Sequence, residues 1–375
     1  MTAAESTDGQ AWYRLRSLRL DPGGPLGEGG AAEIWRCTVP DRDHLVFKRF
    51  RDEARADLDG DRLRTLVAWP RRLAPEDRER LLARCAWPSA VVTDGAEIVG
   101  VVLPEAPAMY FHNPGSGWKP RHFTRLAVPE QVATRRGFEY YDFPHKLARL
   151  GRLLGDLDFL HDNGIVIGDL QPNNILVTGA APAGQPVVTE NYFLDCDSFL
   201  IDGHSAMPNL DPLPWRPQYA NGDGFTPTTD LFKFALLAIR CLAEDLAADR
   251  IDYGRFGQLL PMSDFEAIDA LLTSPAPAPA LTSADLRSLA RAWQSVVRPD
   301  GGTFRRTDTV LLERWSPAMR VAHLAEMTTV AEPVAAVQDL PVEASDRASK
   351  LVPVLLAAAL AALIILVVLG IVMHG

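Results

Sequence analysis

Leucines at helical spacing form the clearest pattern of apolar and polar positions in this sequence. Between residues 143 and 161 leucine recurs every three or four positions, which is the stripe that a helix buries against a core. These leucines are Leu147, Leu150, Leu153, Leu154, Leu157 and Leu160. The stripe ends at the turn signal Asn163-Gly164, and a short apolar strand follows at residues 175–177. The sequence therefore predicts a core helix, a polar loop and a strand in that order.

The first hundred residues show the short apolar runs that are typical of strands. A strand is predicted near Leu18, a β-rich segment at residues 45–50, and a hairpin over residues 90–103 with Asp94-Gly95 as its turn. Residues 108–142 are rich in Pro, Gly, Arg and aromatic residues without a period, and we interpret them as a loop insertion. The predicted helices cover residues 52–66, 75–84, 143–161, 228–237, 264–272 and 283–297.

Composition narrows the class of protein. The chain has 375 residues, of which 47% are hydrophobic and 23% charged, so it is long enough to bury one or two sizeable cores. Its net charge of −10 provides no basic surface for DNA or RNA, which excludes nucleic acid as a partner. The four cysteines lie far apart without a Cys-x-x-Cys pair, which favours reduced, cytoplasmic thiols over a zinc site or disulfides.

An uncharged apolar run near the C-terminus predicts a membrane anchor. Residues 351–373 contain no charged side chain, and as a helix they would span ~34 Å, enough to cross a ~30 Å hydrocarbon core. A buried core helix is the alternative, but such a helix at a domain surface would show a polar stripe. Because Arg347 and Lys350 precede the run, we expect a single-pass membrane protein whose N-terminal bulk is cytoplasmic.

The polar loop carries the most specific motif. From Ile165 to Val177 the sequence is Ile-Val-Ile-Gly-Asp-Leu-Gln-Pro-Asn-Asn-Ile-Leu-Val. Together with the preceding Leu-His and Asn-Gly pairs, this order resembles the catalytic loop of the protein kinase superfamily, including divergent bacterial serine/threonine protein kinase-like proteins. The resemblance implies that Asp169 is the catalytic base and that Asn174 binds magnesium.

Two upstream segments resemble the nucleotide-binding parts of the same family. Gly27, Gly29 and Gly30 stand in a loop similar to Gly-x-Gly-x-x-Gly, although Ala32 occupies the third glycine position. Lys48 lies where the family carries its phosphate-pairing lysine. Glycines let backbone N–H groups approach phosphate oxygens, and an ammonium group neutralises phosphate charge, so ATP is the expected cofactor together with Mg²⁺.

Two acidic positions downstream are candidates for the family's metal-binding aspartate. The strand-like segment that ends at Leu194 is followed by Asp195-Cys196-Asp197 in place of Asp-Phe-Gly. Asp195 is favoured because residues 193 and 194 then occupy the strand, and Asp197 is the alternative. Further on, Asp230 resembles the family's buried helix aspartate that braces the catalytic loop, or else is a simple acid at a helix N-terminus.

The sequence does not determine which acid would pair with Lys48. The family takes it from the helix after the lysine strand, where this chain offers Glu53, Asp57, Asp59 and Asp61. Asp61 fits best by distance along the sequence. An aspartate is one methylene shorter than the family's glutamate, so this pairing would require a closer approach of the helix.

The resemblance implies an α+β fold, two-lobed and protein-kinase-like, with a small β-rich N-lobe and a larger helical C-lobe, followed by one C-terminal transmembrane helix. The expected segments are an N-terminal tail 1–17, an N-lobe 18–103, a C-lobe 104–325, a flexible linker 326–350 and the transmembrane helix 351–373.

The function that the resemblance implies is a membrane-anchored serine/threonine protein kinase acting on a protein substrate. Three departures leave alternatives open: Ile167 replaces the usual His, Gly168 the Arg of many kinases, and Gln171 the usual Lys. Loss of the lysine removes a cation near the transferring phosphate, which makes a nucleotide-binding pseudokinase or scaffold the main alternative. The glycine before Asp169 also resembles small-molecule kinases.

Overall fold

The structure is a computed structural model that describes residues 4–5, 11–39, 42–113, 117–179, 188–208, 224–250, 260–273 and 281–296. These residues belong to one compact unit, Met1–Met327. The predicted linker 326–350 and the predicted membrane helix 351–373 lie outside the described residues. Among the helices that are described, none is long and apolar enough to cross a membrane.

The fold is mixed α+β, as expected, and its N-terminal part is a curled β-sheet. The strands are β1 Ala4–Glu5, β2 Ala11–Arg14, β3 Arg19–Leu20, β4 Gly27–Glu28, β5 Ala32–Val39, β6 Arg42–Phe50, β7 Ala90–Asp94, β8 Glu97–Pro104, β9 Phe111–His112, β10 Lys119–Pro120, β11 Ile165–Val166, β12 Ile175–Val177, β13 Asn191–Phe193 and β14 Leu200–Ile201. The helices are α1 Asp52–Ala56, α2 Gly60–Ala68, α3 Pro75–Arg84, α4 Glu130–Arg135, α5 Phe143–Asp162, α6 Pro227–Ala243, α7 Met262–Thr273 and α8 Ser283–Gln294.

Eight strands form the main sheet. Their order is β1-β2-β7-β8-β6-β5-β3, with β4 paired to β5. The expectation of a loose tail over residues 1–17 was wrong, because β2 pairs in parallel with β7 and so belongs to this sheet. The physical reason is burial: Tyr13 packs with Phe47 and Val92 in the apolar cluster on one face of the sheet.

Helix α2 covers the opposite face of the sheet. Its buried Leu63 and Val67 pack with Val46 and Phe50 of β6. The predicted single helix over residues 52–66 is in fact two helices, α1 and α2. They are separate because the Asp59 side chain accepts hydrogen bonds from the backbone N–H groups of residues 61 and 62 and thereby caps a new helix.

The second large cluster of buried side chains is built by helices. Helix α5 follows its predicted leucine stripe, and most of its residues are buried. It lies close to α8 because Gly151 has no side chain: a Cβ there would lie 2.7 Å from Cβ of Trp293. Helix α6 starts at a capping box between Thr226 and Thr229.

The insertion expected over residues 108–142 contains ordered elements. Short strands β9 and β10 pair in an antiparallel hairpin, and helix α4 follows. His122 forms a bridge with Leu176 of β12, and the N–H of Val177 donates to the carbonyl oxygen of Arg121 at 2.8 Å. This segment therefore buttresses the strand that follows the polar loop.

Two strand pairs bring the candidate loops together. Strand β11 pairs with β14, and β12 pairs with β13, both antiparallel. The loop 167–174 joins β11 to β12, while the loop 194–199 joins β13 to β14. Because the four strands pair in this way, the two loops lie side by side, as the hydrogen bond from Leu194 N–H to the carbonyl oxygen of Asn174 shows at 2.8 Å.

Candidate active site

Lys48 lies in the middle of β6, between Ile34 of β5 and Val101 of β8. Its side chain is almost fully buried and points to the sheet face that α2 covers. Nζ donates to Oδ1 of Asp197 at 2.8 Å and to Oδ1 of Asp195 at 3.2 Å. Burial alone would lower the pKa of Lys48, but the two carboxylates outweigh it and hold the pKa above its usual range. The lysine is therefore a charged group in this site.

The two aspartates after β13 occupy different environments. The Asp195 side chain is 50% exposed, whereas that of Asp197 is fully buried. Asp195 has a left-handed backbone, with φ 54° and ψ 31°, a conformation that aspartate tolerates better than most residues, and it begins a 3-10 turn over Cys196–Ser198. Burial raises the pKa of the Asp197 carboxyl, which Lys48 opposes and Asp195 reinforces. The sequence named both aspartates, and the structure brings both to Lys48.

Asp169 projects from the loop between β11 and β12. Its Oδ2 accepts from Nδ2 of Asn174 at 3.0 Å, and its Oδ1 accepts from Nε2 of Gln171. Burial raises the pKa of Asp169, and Gln171 and Lys233 oppose that rise. Because the amide nitrogen of Asn174 faces Asp169, its amide oxygen is left to face elsewhere.

Asp230 braces the loop from behind, as the sequence suggested. Its buried carboxylate accepts from the backbone N–H groups of Ile167 at 2.8 Å and Gly168 at 3.0 Å. Nε2 of His161 lies 3.0 Å from the same carboxylate. Gly168 has φ 71°, in the left-handed region that glycine adopts at little cost. Gly168 therefore helps to shape the loop.

Lys233 lies under the same loop. Sequence patterns had not identified it as a residue of the site. It is fully buried, its Nζ donates to the carbonyl oxygen of Gly168, and it lies 4.8 Å from the centre of the Phe225 ring. A signal was present, because Lys233 interrupts the otherwise apolar run Leu231 to Leu237 of a helix. A lysine in such a run needs polar partners.

The glycine segment forms one edge of the sheet. Gly27 pairs with Ile34, which in turn pairs with Lys48, so about two strand spacings, ~10 Å, separate Gly27 from Lys48. Gly27, Gly29 and Gly30 are exposed, and a Cβ added at Gly27 or Gly30 would meet nothing within 4 Å. Close packing within the described residues therefore does not require glycine at these two positions.

The helix acids expected near Lys48 do not reach it. The side chain of Asp61, the best candidate by spacing, is 97% exposed and pairs with Arg64 at 2.8 Å. Asp59 caps α2, and Glu53 and Asp57 are exposed. The pairing that the sequence left open is made instead by two acids on the loop after β13, far away in sequence.

Two side chains in the site could contribute ligands to a magnesium ion. Within the described ranges, no three His, Cys, Asp or Glu side chains form a metal-binding group. Magnesium usually takes one or two carboxylates, phosphate oxygens and waters, which one accessible carboxylate and one amide oxygen would fit. Asp195 and Asn174 provide such groups. They lie on adjoining loops that the backbone hydrogen bond between Leu194 and Asn174 holds together.

Comparison with known proteins gives no family for this chain. No family model matches the sequence, and no curated protein matches it.

Proposed function

We propose that this protein is a membrane-anchored, ATP- and Mg²⁺-dependent phosphotransferase of the protein kinase superfamily, acting on serine or threonine of a protein. The observation that supports this most is the meeting of four residues from three separate segments. Lys48 contacts Asp195, Asn174 contacts Asp169, and the two pairs are joined through the bond between Leu194 and Asn174.

Each of these residues has a distinct role in the proposal. Lys48 would neutralise the α- and β-phosphates, and the backbone of the loop that contains Gly27, Gly29 and Gly30 would approach the phosphate oxygens, with open space at Gly27 and Gly30. Asn174 and Asp195 would hold Mg²⁺, which when bound offsets negative charge on the phosphates. The carboxylate of Asp169 would accept the proton of the substrate hydroxyl as the hydroxyl oxygen bonds to the γ-phosphorus, while the bond from that phosphorus to the β–γ bridging oxygen breaks and ADP leaves.

The proposed fold is the two-lobed kinase arrangement, with the curled sheet as the N-lobe and the helical cluster as the C-lobe. Three supports for it are the lysine on the strand β6, the loop between β11 and β12, and the helix α6 whose Asp230 holds that loop. The proposed membrane anchor rests on the sequence of residues 351–373 alone. With Arg347 and Lys350 before it, the catalytic unit would be cytoplasmic.

One observation favours a pseudokinase as the second candidate. Both carboxylate oxygens of Asp169 already accept a hydrogen bond from a neighbouring amide, Gln171 on one side and Asn174 on the other. In this candidate Asp169 is a structural acceptor, and the site binds nucleotide without turnover.

Phosphate transfer from radiolabelled ATP by the full-length chain in detergent tests the proposal. Label should appear on the protein itself or on added proteins, should require Mg²⁺, and should fall at least ~100-fold in Asp169→Asn, which removes a general base but keeps its shape. Asp61→Asn makes the same chemical change at an exposed position and should leave transfer unchanged.

The other outcomes separate the candidates. ATP binding without transfer to any protein identifies the pseudokinase, and transfer to a small alcohol but to no protein identifies a small-molecule kinase. Absence of both binding and transfer contradicts the proposed function.

A further inference from the structure

The ion pair that holds Lys48 comes from an unexpected place. Kinase resemblance assigns the partner to the helix after the lysine strand, yet in the described part of the chain the acids that contact Lys48 are Asp195 and Asp197. Helix α2 presents Leu63, Leu66 and Val67 to the interior instead. A buried cation on this sheet face is therefore held by the loop that follows β13.

Asp197 is better suited than Asp195 to be the lasting partner. It lies closer to Nζ, 2.8 Å against 3.2 Å, and its side chain is fully buried. Its second oxygen, Oδ2, is buried and has no hydrogen-bond partner among the described residues. A buried carboxylate in this position is costly unless a cation stays beside it, which ties Asp197 to Lys48.

Asp195 is better suited to leave the lysine. Its side chain is half exposed, so its carboxylate can exchange Lys48 for another cation with little loss of burial. Magnesium keeps several water molecules when it binds proteins, which requires an accessible ligand. The fully buried Asp197, with an ammonium group at 2.8 Å, offers no such access.

We propose that Asp197 is the permanent counterion and positioning residue of Lys48, replacing the helix acid, and that Asp195 alone passes from the lysine to the metal. This inference rests on the proposed function, because it assigns roles within the same nucleotide site. In consequence, the loop after β13 fixes the lysine, and a shift of α2 does not break its ion pair.

Nucleotide binding with and without metal distinguishes the two aspartates. ATP affinity of the full-length protein is measured by calorimetry in Mg²⁺ and in EDTA. Asp197→Asn should weaken ATP binding about tenfold or more in both conditions, because Lys48 loses its fixed position. Asp195→Asn should not weaken ATP binding in EDTA, because it removes a negative charge beside the phosphates, and should abolish the gain that Mg²⁺ gives. Asp61→Asn, on the exposed face of α2, should change neither.

A second measurement needs no nucleotide. In the ligand-free protein, Asp197→Asn should lower the melting temperature or prevent folding, since it leaves Lys48 buried without its main partner. The double variant Lys48→Met/Asp197→Asn should recover the melting temperature of Lys48→Met alone, and Asp195→Asn should lower the melting temperature little.

Several results would overturn the inference. The first is that Asp197→Asn, and not Asp195→Asn, removes the effect of Mg²⁺ on ATP affinity. The second is that Asp197→Asn keeps the wild-type affinity and melting temperature. The third is that the double variant stays unfolded although Lys48→Met folds. If wild-type protein binds no ATP but the melting temperatures follow the expected pattern, the ion-pair assignment stands and the proposed function fails.

Discussion

Two clusters of charged side chains lie at opposite ends of the three-residue strand β13. Before the strand, Arg84 and Arg152 each donate to Oε2 of Glu190 at 2.7 Å, and Arg84 also donates to Asp156 at 3.0 Å. We call these four residues the front cluster. After the strand, Lys48 alone serves both Asp195 and Asp197, and these three residues are the site cluster.

The two clusters differ in charge balance. The front cluster has two cations for its two acids, with Arg80 as a further cation 4.0 Å from Asp156, and it ties α3 and α5 to the start of β13. The site cluster has one cation for two acids and contains a buried oxygen without a partner among the described residues. Departures from internal balance are expected at functional sites, where a ligand supplies the missing charge. The surplus acid is the feature on which the proposed cation site rests.

The largest expected effect comes from removing a cation of the front cluster. Arg84→Leu should lower the free energy of unfolding by about 3–5 kcal/mol, because it leaves the buried carboxylate of Asp156 without its nearest cation. Urea denaturation measures this loss. The matched control is Arg64→Leu, whose partner Asp61 is exposed, and it should cost under about 1 kcal/mol. Equal costs for the two variants would mean that the front cluster is not a structural unit.

Neutralising one acid should have a smaller effect on stability, and its sign should differ between the two clusters. Glu190→Gln should cost about 1.5–3 kcal/mol, because two arginines lose a charged acceptor. Asp195→Asn should change stability by less than about 1 kcal/mol or raise it, since it relieves repulsion with Asp197 at a half-exposed position. Both are measured by urea denaturation at neutral pH. A loss in Asp195→Asn as large as that in Glu190→Gln would show that the site cluster has no surplus acid.

The smallest expected effect concerns His122, which lies beside the loop between β11 and β12. Nδ1 of His122 donates to the carbonyl oxygen of Asn173 at 2.8 Å, and burial lowers the pKa of His122 below its usual 6.5. A histidine with a depressed folded pKa contributes stability above the unfolded pKa and loses it as the pH falls through the folded one. The contribution of His122 to stability should therefore decline from pH 7 towards pH 5.

Replacement of His122 isolates this contribution. His122→Asn keeps a donor near the same place but cannot titrate, so its melting temperature should fall less, or rise more, than that of the wild type as the pH goes from 7 to 5. His44→Asn makes the same change at an exposed histidine and serves as the control. If the His122 and His44 variants show the same pH dependence, burial of His122 does not affect stability.

Local features of the site were predictable from the sequence. The turn and helix around Asn163, the strand after Asn174 and the helix that begins at Pro227 all follow short-range patterns of apolar residues, caps and glycines. These predictions succeed because each depends on a few neighbouring residues. Asp230, whose contacts on the loop lie 62 and 63 positions away, was identified only by its resemblance to the helix aspartate of protein kinases.

The partner of Lys48 was not predictable in this way. Spacing favoured Asp61, 13 positions away, yet the contacts run to Asp197 across 149 positions. Which acid pairs with Lys48 depends on which side of α2 is apolar and on how β13 ends. These two features lie far apart in the sequence, so no short sequence pattern contains both. Lys233 was missed for a similar reason, since its partner lies 65 positions away on the loop that Asp230 holds.

By itself the sequence determined the elements and the chemical groups: the strand with Lys48, the loop with Asp169 and Asn174, and two aspartates after β13. Only the tertiary structure decided which groups meet, that Asp195 is exposed while Asp197 is buried, and that the lysine is held from the loop and not from a helix. The physical reason is that secondary structure follows from local backbone and side-chain preferences, whereas ion pairing and burial arise when distant segments pack together.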